Sequence, residues 1–90
     1  MRKIERTTRF KRDYKREKKA DPNLDDVLMP VLALLATDAE LPESLSDHRL
    51  SGKLKDFRDC HVRPHLVLIY AKGEGVLSLA RLGSHSELFG

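Results

Sequence analysis

One cysteine in 90 residues excludes an intramolecular disulfide, and with it the stapled scaffolds of small secreted domains. Long apolar runs are missing too. The longest, Val31 to Ala36 and Leu66 to Ala71, fall far short of the ~20 residues that a spanning helix needs. No apolar stretch follows the basic N-terminus, so no secretory signal is expected and the reducing cytoplasm is the expected compartment. Repeats and linkers are also absent. Residues 1–90 therefore read as a single domain, large enough to bury roughly 60–70% of its unfolded surface without staples.

Lys and Arg are wholly absent from residues 20–47, which carry seven acids. Residues 1–19, by contrast, hold ten Lys or Arg against three acids, a balance of +7. Residues 48–90 return to +3, which is also the net charge of the chain. A basic arm followed by a basic body favours a polyanionic partner, because neutralising phosphates releases counterions. Charge alone leaves a merely solvated helix face equally open.

Periodicity gives the elements. Arg2–Arg6 reads as a short strand, and Thr7 or Thr8 can cap a helix over Arg9–Lys19 with Phe10 and Tyr14 on one face. Asp21-Pro22 signals a restart. Leu24, Val27, Leu28, Val31, Leu32 and Leu35 then follow amphipathic helical spacing, with Pro30 expected to kink or split the helix. After an acidic loop over Asp38–Ser46 come three strands, Lys55–Val62, Leu66–Ala71 and Val76–Leu82. Ser84-x-x-Glu87 has the form of a capping box. The expected fold is α+β: an N-terminal helical hairpin on one face of a small, mainly antiparallel sheet, with polar residues on the other.

All four histidines, His48, His61, His65 and His85, fall after residue 47. His61-x-x-x-His65 has the spacing of zinc ligands on a helix, yet Pro64 lies between them in a strand-and-turn pattern, so no metal site is expected. Each histidine alone fits an ordinary surface group. Together they suit RNA cleavage, which needs a base for a 2′-hydroxyl and an acid for the leaving 5′-oxygen. It also needs cations on the phosphorane, for which Arg81, Arg58, Lys53, Lys55 and Arg63 are candidates. Phe89 offers a ring for a base to stack on. Cys60 is expected in the core.

The order Asp47-His48-x-Leu50-x-Gly52, Arg58-Asp59-x-His61-Val62-x-Pro64, Leu68-Ile69-Tyr70 and Arg81-x-Gly83-x-His85-x-x-Leu88-Phe89 resembles the YafQ-type toxins of the RelE/ParE superfamily. Thr7, Phe10 and Lys15 fit the family's first helix, and Leu41-Pro42 fits the loop before Asp47. The resemblance implies a RelE-like fold and a bacterial, cytoplasmic type II toxin. It also implies a ribosome-dependent mRNA endoribonuclease that needs no metal or cofactor and is held inactive by a protein antitoxin. The expected partners are that antitoxin, the 70S ribosome and its mRNA and rRNA, with no membrane. His48, His61, His85 and Phe89 match the family's active-site positions, and Arg81 that of a phosphate-neutralising residue.

One position departs: such toxins usually carry Pro-Asp where this chain has Pro64-His65. His65 is expected to replace the carboxylate as the base, so activity should fall away at a higher pH than with an acid. Alternatively, His65 binds phosphate and His48 or His61 takes the proton. Two other functions remain open. One is a ParE-like, non-nuclease toxin directed at gyrase, and the other is an inert RNA- or ribosome-binding module.

Overall fold

The computed structural model describes residues 1–90. Strand β1 (Lys3–Arg6) leads directly into helix α1 (Thr8–Ala20). Thr7 starts that helix: its hydroxyl accepts from the Phe10 N–H at 3.0 Å, satisfying a donor that the first turn leaves free. The same hydroxyl donates to the Ala80 carbonyl at 2.9 Å.

Helix α2 (Leu24–Ala36) follows a turn in which the Asp21 carboxylate accepts from the Asn23 N–H at 3.1 Å. The restart therefore lies at Asp21-Pro22, but the helix begins two residues later. Pro30, expected to kink or split the helix, does not split it. The carbonyl that loses its partner belongs to Asp26, and both residues are exposed, so water serves the freed group. Leu24, Leu28, Val31, Leu32 and Leu35 are buried. The hairpin is tied by Tyr14, whose hydroxyl donates to Asp25 at 2.6 Å, and by Lys18, 2.9 Å from the same carboxylate.

Four strands follow: β2 (His48–Arg49), β3 (Arg58–Arg63), β4 (Leu66–Gly73) and β5 (Val76–Gly83). The order across the sheet is β1-β5-β4-β3-β2, with β1 parallel to β5 and the other pairs antiparallel. Strand β2 is too short to leave a periodic signal. The expected strand over Lys55–Val62 begins only at Arg58, because a 3-10 turn over Gly52–Leu54 and the bond from Phe57 N–H to the Leu54 carbonyl use the preceding residues to close the β2–β3 loop.

The helices cover one face of the sheet, packing on Cys60, Leu68, Tyr70, Leu77, Leu79 and Leu82. Burial pushes the Cys60 thiol up to about 12, which leaves it an inert core residue. The opposite face is less polar than expected. Val67, Ile69 and Asp59 are all buried there, so this face is partly covered and holds a buried carboxylate. Helix α3 (His85–Phe89) closes the chain beside β5. Gly83 permits that approach, since a Cβ there would stand 3.1 Å from the Arg16 guanidinium and 3.3 Å from Leu88.

Candidate active site

Strand register places the site on the face away from the helices. Two neighbouring rows cross the sheet. One runs His48, Asp59, Ile69, Arg81, and the next runs His61, Val67, Gly83. Side chains alternate along a strand, so both rows share one face. His61 thus stands one strand and two residues from His48, about 8 Å away by ladder geometry. Just past Gly83, α3 presents His85.

A concavity of about 390 Å³ brings together His61, His65 and His85, with Ser84 and Ser86 on its wall. His85 is held by its helix. The Ser84 hydroxyl accepts from Glu87 N–H at 3.2 Å, and Glu87 accepts from Ser84 N–H at 2.9 Å, the reciprocal box the sequence implied. Those bonds hold the Glu87 carboxyl below its ordinary value. One turn on, the Phe89 ring packs on His85 with centroids 4.7 Å apart. His65 sits in the β3–β4 turn, exposed, and no hydrogen bond fixes its ring. His48 lies outside this concavity. Its Nδ1 stands 3.0 Å from the Ser46 carbonyl and 3.0 Å from Asp59 Oδ1.

Arg81 is aimed by a residue the sequence reading passed over. The Asp13 carboxylate, buried on α1, takes the Arg81 Nε at 2.7 Å, the Leu82 N–H at 3.0 Å and the Arg16 Nη1 at 3.1 Å. Burial alone would raise the Asp13 pKa, but Arg81, the Leu82 amide and Arg16 outweigh it and hold the carboxyl below its ordinary value. Asp13 was legible in principle as an acid on the Phe10–Tyr14 face of a basic helix.

Three of the other candidate cations stand elsewhere. Arg58 projects with Cys60 toward the helix side, where it pairs with Asp47 at 3.0 Å. Asp47 also accepts from the Tyr70 hydroxyl at 2.6 Å, and burial and that carboxylate raise the Tyr70 pKa. Lys55 lines a separate concavity of about 280 Å³ with Arg49, Arg58 and Lys72. Lys53 is exposed on its 3-10 turn. None of these three joins the histidines. No group of three or more His, Cys, Asp or Glu side chains is arranged to hold a metal ion.

The family model for YafQ, a bacterial toxin of type II toxin–antitoxin systems, matches residues 2–90. This chain belongs to that family. The mRNA interferase toxin YafQ of Escherichia coli strain K12 is 33% identical over 90 residues, spanning 100% of this chain and 98% of the relative. A metal-bound toxin from Helicobacter pylori superposes with a TM-score of 0.91 at 44% identity, covering 99% of this chain and 100% of the other. YafQ in the E. coli DinJ–YafQ complex superposes at 0.89 with 34% identity, each chain covered fully at 100%. The RelE-like α+β architecture of this YafQ-family toxin is therefore shared with solved relatives.

Proposed function

We propose that this type II toxin, an mRNA interferase by family, cleaves mRNA on the ribosome by acid/base transfer between imidazoles. The observation that carries the reading is the grouping of His61, His65 and His85 around one concavity, beside Arg81 on the same face. His85, fixed on its capped helix, protonates the leaving 5′-oxygen. The Arg81 guanidinium, clamped by Asp13, offsets charge growing on the phosphorane. Phe89 packs at a tilt against His85 and offers its partly exposed ring to a nucleobase. His61 orients the phosphate. His65, with nothing fixing its ring, adds positive charge when protonated and is a poorly preorganised base.

The basic helix α1 seats the protein on ribosomal RNA, and a protein antitoxin, as DinJ is for E. coli YafQ, covers these surfaces at rest. A gyrase-directed toxin has no need of the histidine face, and an inert binding module has no need of an acid fixed beside a clamped arginine.

The test is mRNA cleavage by programmed ribosomes, with and without His85→Ala. Loss of the acid should cost roughly 10²–10⁴ in rate. Absence of cleavage by the wild-type protein would remove the nuclease reading altogether.

A further inference from the structure

Asp59 is the one buried charge on the site's face that the mechanism leaves unused. It is 1% exposed, and neither carboxylate oxygen has a hydrogen-bond partner. A carboxylate placed this way works against folding, so its presence calls for a compensating role. Its neighbour across the ladder is His48, whose Nδ1 stands 3.0 Å from Oδ1. The ring is also fixed from the other side, with its Nδ1–H directed at the Ser46 carbonyl at 3.0 Å.

We infer that Asp59 is a positioning residue that makes His48 the general base. Two oxygens flank Nδ1, and neither a carbonyl nor a carboxylate can donate to it. The proton of neutral His48 therefore resides on Nδ1, and the lone pair on Nε2 is turned to the open side, where the ring is 59% exposed. Nε2 takes the 2′-hydroxyl proton, the oxygen attacks phosphorus, and the P–O5′ bond breaks. His85 returns a proton to the 5′-oxygen, leaving a 2′,3′-cyclic phosphate. The positive charge that forms on His48 then lies 3.0 Å from the buried Asp59 carboxylate, where Coulomb attraction is strong. That attraction is made only as the base is protonated, so it favours the transition state over the bound substrate.

His48 and β5 are three strand spacings apart, about 14 Å. This suits in-line displacement, with base and acid on opposite sides of phosphorus. The inference rests on the nuclease reading, and its failure is separable from that reading's failure.

The first measurement uses the unaltered protein: side-chain ¹⁵N shifts of His48 should show the neutral ring protonated on Nδ1. The second is Asp59→Asn on programmed ribosomes, with kcat expected to fall roughly 10- to 100-fold and KM unchanged. The melting temperature should hold or rise, because an unpaired buried charge has been removed. Wild-type rates in Asp59→Asn, or neutral His48 protonated on Nε2, would overturn the assignment. A fall in melting temperature that accounts for the lost activity would make Asp59 merely structural and overturn it equally. No cleavage by the wild-type protein would instead condemn the nuclease reading.

Discussion

Three aspartates divide the work of orienting cations and imidazoles. Asp13 clamps Arg81, Asp59 stands behind His48, and Asp47 holds Arg58 and Tyr70 on the other side of the sheet. Asp13 has the clearest energetic signature. Replacing it with alanine leaves the buried Leu82 N–H without an acceptor and frees Arg81, which should cost about 2–3 kcal/mol. Chemical denaturation of Asp13→Ala reads that loss. The pH dependence has a definite sign. The Asp13 carboxyl is held below its ordinary value in the fold, so its contribution is complete above the unfolded value near pH 4. The contribution disappears as pH falls through the lower folded value. Stability curves of wild type and Asp13→Asn should therefore converge in acid, separate as pH rises toward about 4 and run parallel above it.

At the scale of elements, the shortest helix is the most consequential. Five residues cannot form a stable helix alone, so α3 depends on its capping box, on Gly83 and on the ring contact between His85 and Phe89. Ser84→Ala removes the cap and should weaken α3 by about 1 kcal/mol. Productive placement of His85 would then fall roughly fivefold. Cleavage rate and the ring-current shift of His85 should change together, while global stability, which rests on the helix–sheet core, stays near wild type. Helix α2 shows the opposite case. Its Pro30 sits on the solvent side, and the buried leucine stripe is continuous past it, so tertiary packing overrides a local breaker.

For the whole molecule, charge is arranged by surface. Lys11, Arg12, Lys15 and Lys19 are exposed on α1, on a helix whose other face is buried through Phe10 and Asp13. If that surface meets ribosomal phosphates, neutralising all four residues should lower the slope of log K against log salt by about 3. Binding titrations from low to physiological salt measure it. An unchanged slope would move the ribosome-facing surface elsewhere. No helix is long and apolar enough to cross a membrane.

The sequence by itself determined the helical hairpin, the central strands, the capping box and the family, because these depend on patterns repeated or matched along the chain. It also brought out His48, His61 and His85, whose neighbours in sequence carry the family signature. Only the tertiary structure decided which of those groups meet. Register sets His48 against Asp59, and α1 brings Asp13 to Arg81 across 68 positions. Such pairs have no local spacing to betray them, since a carboxylate's burial and its partner are properties of the folded sheet. The same reason removed Arg58, Lys53 and Lys55 from the histidine face. Composition marks them as available cations, but strand alternation and the β2–β3 turn dictate where each one stands.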